Sequence, residues 1–175
     1  MPHPIQTFGV VAICATLIGA PLAAQTPVEA TAEFVGLEGQ SHGAATLTQA
    51  PIGVLIQAEL TGVPEGSMGF HIHEVGVCEP PFESAGSHFN PSDAPHGYLV
   101  EGGPEAGDLP NVQAPASGEV TVEMFTSLVT LQDDAENSLF DADGSALVLH
   151  SQADDYATQP SGNAGDPIAC AVITQ

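Results

Sequence analysis

The alternation of apolar and polar positions along the chain predicts short β-strands. In Val54-Leu55-Ile56-Gln57-Ala58-Glu59-Leu60, the residues Val54, Ile56, Ala58 and Leu60 fall on one face and Gln57 and Glu59 on the other. Glu119–Met124 repeats that period of two. Ala146–His150 (ALVLH) and Ile168–Ile173 (IACAVI) are short apolar runs suited to buried strands. Residues 31–38 and 44–48 form a first pair, joined across Gly39 to Gly43. Turn residues separate the runs at Val63-Pro64-Glu65-Gly66, Ala116-Ser117-Gly118 and Asp141-Ala142-Asp143-Gly144. Many short strands with Gly/Pro turns predict an all-β fold, an antiparallel sandwich or barrel. Two stretches lack the pattern, residues 75–115 and 152–167. Irregular segments of this length in a compact domain are functional or stapled down.

Residues 1–24 read as an export signal. An apolar run from Phe8 to Leu22 is followed by the small residues Ala23-Ala24. The run lacks the basic start of such signals, and the alternative is an apolar helix kept in the mature chain. Export leaves a domain of residues 25–175, placed in the periplasm or outside the cell. Cys14 departs with the signal, and Cys78 and Cys170 remain. An oxidising compartment permits them to bridge. The bridge would close a loop of about 90 residues and stabilise by roughly 2–4 kcal/mol. The alternative is two unpaired buried thiols.

Charge narrows the functions. Of 175 residues 43% are apolar, enough for one folded domain, and 13% are charged, all of them Asp or Glu. A formal charge of −22 with no Lys and no Arg excludes nucleic acid and anionic membranes as partners. It favours cations, and seven histidines become the candidate chemistry. His71 and His73 lie two apart in GFHIHE, so a strand would aim both imidazoles at one face. His88 (GSHFNP) and His96 (PHGY) fall in the long irregular stretch, and His150 ends the ALVLH run. Imidazole suits copper and zinc, and carboxylates complete zinc sites. His3 belongs to the signal, and His42 (SHG) is a turn residue without a role.

In chain order, GFHIHE, Cys78, SAGSHFNP, HGYLVEGGPEAGDLPN, ALVLHSQADDY and GNAGDPIACAVI resemble the signature segments of the copper/zinc superoxide dismutase family, its secreted bacterial branch above all. The resemblance spans the mature chain. It implies an eight-stranded Greek-key β-barrel with a metal site held outside the barrel by two long loops, and a Cys78–Cys170 disulfide. It implies copper ligands at His71, His73, His88 and His150, with His88 shared with zinc and acting as the proton carrier in catalysis. It implies zinc ligands at His88, His96 and Asp108. Asp154 would link a copper-ligand histidine to a zinc-ligand histidine. The implied reaction is disproportionation of superoxide to oxygen and hydrogen peroxide, by a homodimer or a monomer.

Two positions depart from the family pattern. Glu105 stands in EAGD where the family has a zinc-ligand histidine, so zinc is held by a second carboxylate, held weakly or absent. Pro167 stands where the family places an arginine that guides superoxide. A chain at −22 repels an anionic substrate at long range. The expectation is a dismutase slower than its family, with a rate that rises with salt. The alternative is a periplasmic copper-binding or buffering protein of the same fold.

Overall fold

The computed structural model describes Met1 and residues 28–175. The apolar stretch read as an export signal, and His3 with it, lie outside the described residues. The described residues contain nine strands: β1 (Glu29–Gly36), β2 (Ser41–Gln49), β3 (Val54–Leu60), β4 (Gly66–Met68), β5 (Phe70–His73), β6 (Val112–Ala114), β7 (Val120–Thr126), β8 (Ala146–His150) and β9 (Pro167–Thr174). Seven form one sheet in the order β5-β8-β9-β1-β2-β3-β7, and β4 pairs with β6. Every pairing between these nine strands is antiparallel.

The expected eight strands become nine because Gly69 interrupts one of them. Its N–H donates to the Gln152 carbonyl at 2.7 Å and its carbonyl accepts from His150 N–H at 2.9 Å. The chain therefore leaves the β4–β6 pair and enters the large sheet as β5. Strand β6 lies inside the stretch read as irregular, since three residues are too few to display a period. Strands β1 and β2 start earlier than the apolar pattern suggested. Ala30 and Ala32 are buried in register with Phe34, but alanine carries a weak hydrophobic signal.

Burial explains which runs alternate and which do not. In β3, Val54, Ile56, Ala58 and Leu60 enter the main core, with Phe34, Leu47, Phe70 and Ile72. Each such side chain contributes about 1.5–3 kcal/mol on burial. In β8, Leu147 and Leu149 face that core, while Ala146 and Val148 join a smaller cluster with Phe82, Ala85 and Cys170. Both faces of β8 are covered, so its sequence is continuously apolar. The second cover is the loop after β5. Cys78 in that loop is disulfide-bonded to Cys170 in β9, with Cα atoms 5.6 Å apart. On β5 the same division sends Phe70 and Ile72 into the core and leaves His71 and His73 on the loop side, fully buried or nearly so.

Candidate metal centre

The loops close over His71 and His73 by backbone pairing. Phe89 and Gly107 flank Ile72: Ile72 N–H donates to Gly107 O at 2.8 Å, Phe89 N–H to Ile72 O at 2.8 Å and Gly107 N–H to Phe89 O at 2.8 Å. A Cβ at Gly107 would lie 2.2 Å from Ile72 O, so this position has room only for hydrogen. The pairing delivers His88 beside His73 and Asp108 beside His71. His150 arrives from the end of β8.

Four donor atoms of His71, His73, His88 and His150 lie within 4.8 Å of one another, all buried. The outer nitrogens of three of these rings are spoken for. His71 Nε2 donates to Asp154 Oδ2 at 2.9 Å, His73 Nδ1 to Gly86 O at 2.8 Å and His150 Nδ1 to Gly165 O at 3.1 Å. An oxygen acceptor on one nitrogen fixes the tautomer and leaves a lone pair on the other. Burial, together with neighbouring imidazoles, holds His71 below its ordinary pKa and pushes His73 to about 3 and His150 to about 4. These three rings are neutral. His73 Nε2 and His150 Nε2 face each other at 3.3 Å with no proton between them. His71 Nδ1 and His88 Nε2 are buried without any hydrogen-bond partner. Buried polar atoms in folded proteins are as a rule hydrogen-bonded. Unpartnered imidazole nitrogens converging on one point fit copper.

A second cluster shares His88 and adds His96, Glu105 and Asp108. His88 Nδ1 lies 2.9 Å from Glu105 Oε2 and 3.1 Å from Asp108 Oδ1. His96 Nδ1 lies 3.3 Å and 2.8 Å from the same two oxygens. Burial disfavours charge on both rings, but hydrogen bonds to Asp108 and Glu105 outweigh it. They raise His88 and bring His96 to about 10. For Asp108 and Glu105 burial acts upward, and the bonds from His88 and His96 reverse it and hold both carboxyls low. Protons on the two rings occupy the place of a cation between two carboxylates. Two imidazoles and two carboxylates in tetrahedral number fit zinc.

Asp154 joins the clusters. Its Oδ2 accepts from His71 Nε2 and its Oδ1 from His96 Nε2 at 3.1 Å. Such contacts fix ring orientation and donor basicity. Sequence reasoning missed what holds Asp154 itself. Asn111 brackets its backbone, Nδ2 donating to Asp154 O at 2.8 Å and Oδ1 accepting from Asp154 N–H at 2.9 Å. The GDLPN segment contains Asn111 and was the only available signal. The carbonyls of Gly86 and Gly165 had none. Pro167 opens β9 opposite His150, so no cationic side chain stands there. His42 donates from Nδ1 to Thr61 O at 2.8 Å, away from both clusters.

Comparison with known proteins agrees with this geometry. Residues 26–173 match the family model described as copper/zinc superoxide dismutase. The chain is 43% identical over 164 residues to the Cu-Zn superoxide dismutase 1 of Aquifex aeolicus, covering 93% of this chain and 96% of the relative. It is 44% identical over 147 residues to the Cu-Zn superoxide dismutase of Caulobacter vibrioides, covering 82% and 84%. A crystal structure of a SOD-like protein from Bacillus subtilis superposes with a TM-score of 0.78 at 40% identity, covering 81% and 95%. With two histidine-rich donor sets sharing one ring on a matching all-β frame, the chain belongs to the copper/zinc superoxide dismutase family.

Proposed function

We propose that the chain disproportionates superoxide to oxygen and hydrogen peroxide, more slowly than relatives with a cation at position 167. The observation that carries this reading is the set of three neutral imidazoles whose outer N–H groups are consumed by Asp154, Gly86 and Gly165, beside an unpartnered His88 Nε2. His71, His73, His88 and His150 would hold copper, and His88, His96, Glu105 and Asp108 would hold zinc. The chemistry copper supplies when bound is a one-electron couple: one superoxide gives up an electron and leaves as O2, and a second receives it and leaves as H2O2 with two protons.

The chain's own contribution is fixed geometry and one movable proton. His88 Nδ1 is pinned between Glu105 and Asp108, so its ring cannot turn, and Nε2 is the atom free to hold and release a proton. His88 is only 5% exposed, which restricts which groups reach that atom. The Cys78–Cys170 disulfide supports residence in an oxidising compartment, the periplasm or beyond the cell.

The test is the rate of superoxide decay catalysed by the copper-loaded chain over a range of salt. A fast rate that rises with salt supports a dismutase working against its own charge. Bound copper with a rate no better than solvent would support the second reading, copper buffering, which the absence of any Lys or Arg favours.

A further inference from the structure

Glu105 is the residue whose presence in the second cluster the family pattern does not supply. A glutamate side chain is longer and freer than an imidazole and carries two equivalent oxygens. Left to itself it can chelate through both, or turn toward solvent, to which it is 13% exposed. Neither occurs. Oε2 faces His88 and His96, while Oε1 accepts from Asn90 Nδ2 at 2.9 Å.

Asn90 is in turn fixed. Its Nδ2 also donates to Ala94 O at 2.8 Å, and its Oδ1 accepts from Ala94 N–H at 3.0 Å. The amide orientation follows from these partners, because only the nitrogen can face two oxygens. Asp108 is organised on the same plan. Its Oδ2 accepts from Gly97 N–H at 2.8 Å and Glu105 N–H at 3.0 Å, and its Oδ1 faces the histidines. Each carboxylate therefore has an outer oxygen tied down and one inner oxygen left for a cation.

We propose that Asn90 is a positioning residue that makes Glu105 a one-oxygen ligand of the second metal, and so lets a carboxylate stand in for an imidazole there. The inference rests on the reading of that cluster as a zinc site. Removing a partner one step outside a metal's ligands costs about 10–100-fold in affinity.

The experiment is zinc affinity, measured on the full disulfide-bonded chain by competition with a chromophoric chelator. The variants are N90A, N90D, E105A and the N90A/E105A double variant. N90A is expected to weaken zinc about 10–100-fold. N90D keeps an acceptor for Ala94 N–H but sets a like charge against Oε1, and is expected to weaken zinc at least as much. In the E105A background N90A should add nothing, because the partner through which Asn90 acts is gone. With cobalt(II) as the probe, the parent should give the intense visible bands of a four-coordinate ion. N90A should weaken them as Oε1 becomes free to chelate.

Parental zinc affinity in N90D, or an equal loss from N90A with and without Glu105, would reduce Asn90 to a loop-turn residue and overturn the proposal. So would a parent that takes up no zinc. Copper uptake and superoxide decay, followed in the same preparation, report on the dismutase reading separately.

Discussion

His73 Nε2 and His150 Nε2 stand 3.3 Å apart, and neither ring has a proton to place between them. Their protons are committed to the carbonyls of Gly86 and Gly165. Two lone pairs at this separation repel until a cation intervenes, so the fold itself holds part of the driving force for copper uptake. His150→Ala should therefore cost more than about 100-fold in copper affinity, above the loss expected for an outer partner. A competitive copper titration checks this, and an unchanged affinity would sink the copper assignment.

Acid should strip the two clusters in a fixed order. His73 and His150 take up protons only near pH 3 and 4, while protons hold His96 up to about pH 10. Protons thus compete with metal at the second cluster, the shared His88 included, throughout the neutral range, and at His73 and His150 only in strong acid. Dialysis over a pH series, followed by metal analysis, should find zinc leaving at higher pH than copper.

The metal-free chain should be most stable near pH 6.5. The raised His96 contributes stability that is complete below its ordinary value of 6.5 and lost as pH rises through about 10. The depressed His73 and His150 contribute stability that is complete above 6.5 and lost as pH falls toward 4 and 3. Melting temperatures of metal-free protein across pH 4–10 test this. A profile flat from 6.5 to 10 would remove the His96 pairing from the account.

Gly162 should tolerate no side chain. An added Cβ would lie 1.7 Å from Asp154 Oδ1 and 2.7 Å from His96 Nε2, at a backbone φ of +66°. Gly162→Ala should break the His71–Asp154–His96 link and weaken both metals about 10–100-fold. Parallel copper and zinc titrations read the effect, and a loss confined to one metal would show that Asp154 does not couple the sites.

Pro167→Arg should raise the superoxide rate about tenfold or more at low salt, within the range that steering of charged substrates spans. The parent's rate should climb with ionic strength as the Debye length shrinks from about 30 Å at 0.01 M to about 8 Å at physiological strength. No gain in the variant, with copper fully loaded, would place the deficit elsewhere than in steering.

The parts of this molecule with a period were legible in the chain. Strands β3 and β8 carry the bounds that their apolar runs indicated, and His71 and His73 share the face that a spacing of two implies. The histidines stood out as metal candidates from charge and spacing, but their division into two clusters, and the place of Asp108, were legible only through motif resemblance, since His88, His96 and Asp108 lie in loops. What remained hidden is set by loop packed on loop. The Asn111 bracket around Asp154, the Asn90 bond to Glu105 and the glycine carbonyls that orient His73 and His150 join residues far apart in sequence without any repeat. Strand β6 was too short to announce itself.

The Cys78–Cys170 bridge has a consequence for the tautomer of His73. It anchors to β9 the loop that runs through Phe82 and Ala85 to Gly86, and Gly86 O is the acceptor that settles which nitrogen of His73 is bare. Reducing the bridge would remove the covalent tether of the loop that carries this acceptor, and with it a restraint on the tautomer of His73. The fold thereby ties the cross-link to the tautomer that leaves His73 Nε2 bare for a cation.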